Sequence, residues 1–97
     1  LEVAEACGLP CVVSSALETS VGLAAQLALA GALPSLDFAC GLGTTSLLAG
    51  DVVAESYVPV DGYLPVPLRP PAPVFTRFAA DEERTAWWRA RLSRVGA

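Results

Sequence analysis

Apolar and polar positions fall in blocks whose spacing changes along the chain, and each change predicts an element. Leu1 to Cys7 mixes Glu2 and Glu5 with small apolar residues in the manner of a helix end, and Gly8 stands where glycine is favoured just past a helix C-terminus. Leu9-Pro10-Cys11-Val12-Val13 is a continuous apolar run with β-branched residues that stops at Ser14-Ser15, the pattern of a strand buried on both faces, as in a parallel sheet. Ser15-Ala16-Leu17-Glu18 matches the capping box, and Thr19-Ser20 offers a second N-cap before a helix rich in Ala and Leu that is predicted to run to about Leu33, with Pro34 as its stop. Leu36-Asp37-Phe38-Ala39-Cys40 reads as a second short strand leading into Gly41-Leu42-Gly43-Thr44-Thr45, and Ser46–Ala49 as one or two turns of helix. This repetition of strand and helix with short connections predicts an α/β fold, a parallel sheet or barrel with right-handed crossovers.

After Asp51 the pattern changes. Val58-Pro59-Val60-Asp61-Gly62-Tyr63-Leu64-Pro65-Val66 places two short apolar arms around Asp-Gly, a strong hairpin signal, with prolines that confine the arms to edge or irregular strands. Pro67 to Pro73 contains four prolines and is predicted to be an extended connector. Asp81-Glu82-Glu83 opens a final helix, with acids at its N-terminus and Arg89, Arg91 and Arg94 toward its C-terminus, in keeping with the helix dipole. Trp87 and Trp88 are too large to leave wholly exposed and are expected to anchor this helix on another part of the parent protein. The chain therefore divides into βα units over residues 1–57 and a hairpin, Pro-rich connector and helix over residues 58–97.

Composition narrows the function. In 97 residues, 54% hydrophobic and 16% charged, disorder is excluded for most of the chain. There is no His, and all six basic residues are Arg, so the common general bases and Schiff-base formers are missing and the acid–base residues of any enzyme of which this is part are expected elsewhere. With a helix end already at Leu1, the sequence is expected to be a C-terminal fragment of a longer protein. The longest apolar stretch, Val21 to Leu33, is short of the roughly 20 residues a membrane span needs, and no leader pattern is present, so no membrane association is expected. Residues 1–62 carry seven acids and no base, whereas residues 63–97 carry six Arg and three acids. That asymmetry predicts a basic tail packed on an acidic surface of its own protein rather than a nucleic-acid binder. Cys7, Cys11 and Cys40 lack paired C-x-x-C spacing and read as reduced thiols, Cys11 and Cys40 within apolar runs, which points to a cytoplasmic protein.

Two places carry candidate chemistry. Ser14 and Ser15 come where a parallel strand ends and its helix begins, where α/β barrels put functional side chains, although the pair also serves as a cap; with no base nearby, neither is a nucleophile. Gly41-x-Gly43-Thr44-Thr45 offers backbone N–H groups to an anion, and equally reads as a tight turn that needs permissive φ. Glu18, Asp37 and Asp51 are scattered, Glu18 being accounted for as the capping-box partner, and form no metal site.

The stretches Val12-Val13-Ser14-Ser15-Ala16-Leu17-Glu18-Thr19-Ser20-Val21-Gly22-Leu23-Ala24-Ala25, Ala39-Cys40-Gly41-Leu42-Gly43-Thr44 and Val60-Asp61-Gly62-Tyr63-Leu64-Pro65-Val66 resemble the C-terminal third of the o-succinylbenzoate synthases, a menaquinone-pathway family of the enolase superfamily. The resemblance implies a bilobed enzyme with a capping domain and a modified (β/α)8 barrel, of which this chain supplies the last two βα units and the tail. It implies proton abstraction alpha to a carboxylate by a Lys and stabilisation on Mg²⁺, with those residues on earlier strands, upstream of this chain. The implied reaction is dehydration of 2-succinyl-6-hydroxy-2,4-cyclohexadiene-1-carboxylate to 2-succinylbenzoate, and Ser14, Ser15, Gly41 and Gly43 are the implied lining of the succinyl pocket. N-acylamino acid racemases and muconate cycloisomerases are the related alternatives. The chain departs from its relatives where Leu68-Arg69-Pro70-Pro71 replaces a Gly-rich strand. A non-catalytic α/β interaction module is the alternative of another class, and it differs in that it folds cooperatively by itself.

Overall fold

In the computed structural model, which describes residues 1–96, the chain opens with α1, Glu2–Ala6. Its end is a Schellman turn: Gly8 at φ 64 lets its N–H reach Glu5 O at 3.0 Å and the N–H of Leu9 reach Ala4 O at 2.8 Å. The second helix, α2, spans Ser20–Gly31 and turns Leu23, Ala24, Leu27 and Ala30 inward, the spacing of one helical face. It stops short of Leu33 because Pro34 disfavours helical backbone at the residue before it, and Leu33 closes the last turn with an N–H bond to Ala30 O at 3.3 Å. Val13, Leu23, Leu27, Ala30 and Leu42 form the core, with Leu33, Cys40, Tyr57 and Leu64 packed around it.

The two expected strands pair in the expected direction but scarcely form a ladder. Among the described residues the one parallel pairing is the bridge between Ser14 and Gly41. In it the N–H of Gly41 donates to Val13 O at 3.0 Å and the N–H of Ser15 to Gly41 O at 2.9 Å. Two local causes limit it: Pro10 has no N–H to give, and a bond from Leu42 N–H to Cys40 O at 3.0 Å turns the chain away beside Gly41. The expectation of a strand buried on both faces is corrected as well, since Val13 is buried while Val12, Leu9, Leu36 and Phe38 are exposed. The short helix expected at Ser46–Ala49 is instead a 3-10 turn at Thr44–Leu47.

The Asp-Gly hairpin forms as read. Asp61 and Gly62 take φ of 50 and 81, the primed turn that suits a two-residue hairpin, and Val60 and Tyr63 exchange N–H bonds at 3.0 and 2.9 Å. Beyond it Val66 lies on Gly31 in the last turn of α2, where a Cβ would come 2.9 Å from one Val66 methyl and 3.1 Å from the other. The Pro-rich connector, expected to be extended, bends at Leu68 and Arg69 and returns to the body of the chain: Pro73 bridges Val53 antiparallel, the N–H of Val74 donates to Val52 O, and the Phe78 ring covers Gly50. The last helix, α3, Glu82–Arg94, is capped by Asp81, whose Oδ1 accepts the Arg84 N–H at 2.7 Å. Trp87 and Trp88 meet edge to face with centroids 4.8 Å apart, Arg91 lies over both rings, and both remain about half exposed.

Candidate functional site

The bridge that joins the two apolar segments also joins the two candidate motifs. Ser14 and Gly41 sit side by side, so close that a Cβ on Gly41 would meet Ser14 Oγ at 2.9 Å. Ser14 is exposed, and among the described residues its hydroxyl has no hydrogen-bond partner, which leaves a donor at the rim. Ser15 behaves differently. Its Oγ lies 3.0 Å from Gly41 O and 2.9 Å from Thr44 Oγ1, and Thr44 Oγ1 in turn donates to Ala16 O at 3.1 Å. Ser15 thus faces inward across the two loops while Ser14 faces out.

Backbone conformation corrects one expectation about the glycines. Neither Gly41 nor Gly43 has positive φ; Gly43 sits at φ −97 and ψ 11, which any residue adopts. The demand at Gly41 is space beside Ser14, and at Gly43 a Cβ would make only an ordinary contact with Pro59 Cγ at 3.5 Å. The N–H groups of Gly41 and Leu42 are already bonded to Val13 O and Cys40 O. Gly43 also lines an open cleft of about 510 Å³ with Leu36, Phe38, Cys40, Tyr63 and Val66, which Ser14, Ser15 and Gly41 do not reach.

Behind this rim an unanticipated carboxylate fixes α2. The N-cap of α2 is Thr19, which makes no side-chain cap bond, and Glu18 is not a capping-box partner; its Oε2 is buried without one. Asp51 takes the role from across the chain. Its Oδ1 and Oδ2 accept the Ser20 N–H at 3.1 and 3.3 Å, Oδ2 accepts the Ser20 hydroxyl, and Oδ1 accepts the Val52 N–H at 2.7 Å. Ser20 is fully buried, and its Oγ accepts the Tyr57 N–H at 2.8 Å. Burial by itself would push the Asp51 carboxyl up, but the bonds from Ser20, Val52 and Ser56 outweigh it and hold the group below the usual carboxylate range. Nothing local in the sequence marks Asp51 for this, because its partner lies 31 residues earlier. A hydroxyl after the glycine pair was the only signal for Thr44.

The acids do not fit a metal. Among the described residues no three of Cys, Asp and Glu converge to hold one, Asp51 is committed to α2, and Asp37 accepts only from Ser35 Oγ at 3.2 Å. The three thiols are unpaired, Cys7 exposed and Cys11 and Cys40 half-buried. Among the described residues no helix is long and apolar enough to cross a membrane.

No family model matches the chain. It is similar, however, to curated proteins along its whole length. The protein named o-succinylbenzoate synthase from Thermobifida fusca (strain YX) is 54% identical over 97 residues, all of this chain and 30% of that protein. Those of the same name from Mycobacterium tuberculosis (strain ATCC 25618 / H37Rv) and Mycobacterium leprae (strain TN) are 47% and 46% identical over 93 residues, 95% of this chain and 28% of theirs. The chain thus spans less than a third of the length of the curated relatives it matches. With about half its residues identical from end to end, the chain is similar to the C-terminal part of proteins named o-succinylbenzoate synthase.

Proposed function

We propose that the chain is the C-terminal part of an o-succinylbenzoate synthase, contributing the last two βα units of a (β/α)8 barrel and a tail that packs back on the same polypeptide. The observation that carries this is identity of 54% over all 97 residues to a protein of that name. The parallel bridge supports it, because Ser14 and Gly41 stand at the ends of consecutive segments joined by α2, as neighbouring strand ends do on a barrel rim. So do the exposed Leu9, Val12, Leu36 and Phe38, apolar faces suited to strands and helices of the rest of the protein.

In the proposed reaction the cyclohexadiene loses a proton from the ring carbon bearing the carboxylate and the hydroxyl from the neighbouring carbon, the two leaving together as one water, and the ring becomes aromatic. The part assigned to this chain is to hold the remote succinyl group. Ser14 donates its hydroxyl to the succinyl carboxylate, Gly41 leaves room for the ligand beside Ser14, Ser15 braces that rim from within through Gly41 O and Thr44, and Gly43 lines the neighbouring cleft. The family's Mg²⁺, when bound, would supply electrophilic stabilisation of negative charge at the reacting carboxylate. The acids of this chain do not fit that ion, so its ligands, like the proton-abstracting Lys, are assigned to the preceding part of the protein. The setting is menaquinone biosynthesis in the cytoplasm, with no nucleic-acid or membrane partner.

The test is turnover by the full-length protein containing this chain, followed as formation of 2-succinylbenzoate. Conversion by the wild type, with Ser14→Ala raising KM, supports the proposal; a folded protein that leaves the substrate unchanged refutes it.

A further inference from the structure

Resting on that proposed function, we infer that Thr44 is a positioning residue: its hydroxyl ties the Ser14–Ala16 loop to the Gly41–Gly43 loop and thereby sets where the Ser14 hydroxyl stands in the substrate rim. The number of available protons decides the arrangement. Three oxygen contacts link the loops: Ser15 Oγ to Gly41 O at 3.0 Å, Ser15 Oγ to Thr44 Oγ1 at 2.9 Å, and Thr44 Oγ1 to Ala16 O at 3.1 Å. The two hydroxyls hold only one proton each. Gly41 O is already satisfied by the Ser15 N–H at 2.9 Å, so the arrangement that uses both protons without leaving a bare oxygen pair is a relay. Ser15 donates to Thr44, and Thr44 donates to Ala16 O.

This relay divides the labour at the rim. Ser15 and Thr44 spend their protons inside the protein and have none for an anionic ligand, while Ser14, exposed and unpaired among the described residues, keeps its own. Among the described residues the bridge at Ser14 and Gly41 is the one backbone pairing between the two segments, so without Thr44 the register of the rim rests on that bridge and the single contact of Ser15 Oγ with Gly41 O. Thr44 is also the first residue of the 3-10 turn Thr44–Leu47, whose next residue, Thr45, is buried, so its own backbone is held in place. A shift of one loop against the other then moves Ser14 relative to Gly41.

The experiment compares Thr44→Val and Thr44→Ser in the full-length protein containing this chain, with 2-succinylbenzoate formation and hydrogen exchange over residues 13–18 as separate readouts. Valine matches the shape and lacks the hydroxyl; serine restores it. Thr44→Val is expected to raise KM about tenfold, the size of a lost bond between partly buried groups, with kcat changed less than about threefold. Thr44→Ser is expected to stay near the wild type, and exchange at Ser15 to quicken in the valine variant only. Adding Ser15→Ala to Thr44→Val is expected to cost little more than either alone, as for two members of one relay. Unchanged KM in Thr44→Val, or equal impairment of both variants, overturns the inference while leaving the synthase function standing. A wild type without dehydratase activity refutes the function, and the exchange measurement then decides the loop contact by itself: equal protection in the two variants overturns it.

Discussion

Removing the Asp51 carboxylate is the most informative change to the fold, because one side chain there satisfies four donors, the Ser20 N–H and hydroxyl, the Val52 N–H and Ser56. In Asp51→Ala, the Ser20 N–H and hydroxyl lose their acceptor, and Ser20 is fully buried, so water does not replace it. The Ser20 oxygen still accepts the Tyr57 N–H at 2.8 Å, while its proton loses the carboxylate it was donated to. Loss of a helix cap costs about 1 kcal/mol and an unsatisfied buried polar group about 1–3 kcal/mol, and because the effects overlap the expected total is about 2–3 kcal/mol. Asp51→Asn keeps one acceptor oxygen and loses the charge at the N-terminus of α2, for about 1 kcal/mol. The assay is urea unfolding of the full-length protein containing this chain, repeated between neutral and acid pH. The Asp51 pKa is lowered in the folded state, against burial and by its bonds to Ser20, Val52 and Ser56, so its stabilisation is complete above the unfolded carboxyl pKa. It is lost as pH falls through the lower folded value, and Asp51→Asn should therefore lose less stability than the wild type over that acid range. A cost below about 0.5 kcal/mol for Asp51→Ala, or the same acid dependence in Asp51→Asn and wild type, refutes the cap.

Gly31→Ala drives a Cβ to within 2.9 Å of a Val66 methyl and is expected to cost about 1–3 kcal/mol by urea unfolding, with Val66→Ala relieving part of it. Gly43→Ala, at φ −97 with only a 3.5 Å contact to Pro59 Cγ, is expected to change stability by less than about 0.5 kcal/mol, so a raised KM in that variant reports on the ligand rather than on the turn. The 97-residue chain expressed by itself is expected to bind a hydrophobic dye and to melt without a sharp transition. Its radius of gyration is 16.5 Å against about 12.5 Å for a compact domain of this length, and Leu9, Val12, Leu36 and Phe38 are exposed; two-state melting of a monomer contradicts this.

What was legible in the sequence is what local chemistry decides. Gly8 past α1, Asp61-Gly62 in the hairpin and Asp81 before α3 each act within a few residues of their partners, and each stands where it was read. The partnership of the Ser14 and Gly41 segments was also legible, since βα repetition implies parallel neighbours. The length of their pairing was not, because an apolar run reports that neighbours are needed and not how many residues pair with them. Of the two N-caps offered for α2, Thr19 stands at the cap position but makes no side-chain cap bond, and Ser15-x-x-Glu18 has only the right letters: Ser15 is drawn to Thr44, and Asp51 supplies the cap bonds from 31 residues away. The glycines of the G-x-G run were read through φ, whereas at Gly41 the determinant is its distance to a side chain on another segment. Phe78 on Gly50 is of the same kind.

The central claim is that the Ser14–Gly41 juncture is part of a synthase's substrate rim. It is tested most directly by a crystal structure of the full-length protein containing this chain with 2-succinylbenzoate bound. The account predicts the succinyl carboxylate within hydrogen-bond distance of Ser14 Oγ and against the Cα of Gly41, with Ser15 and Thr44 still bonded to each other. A product whose succinyl group lies away from this juncture, with Ser14 facing solvent, contradicts it.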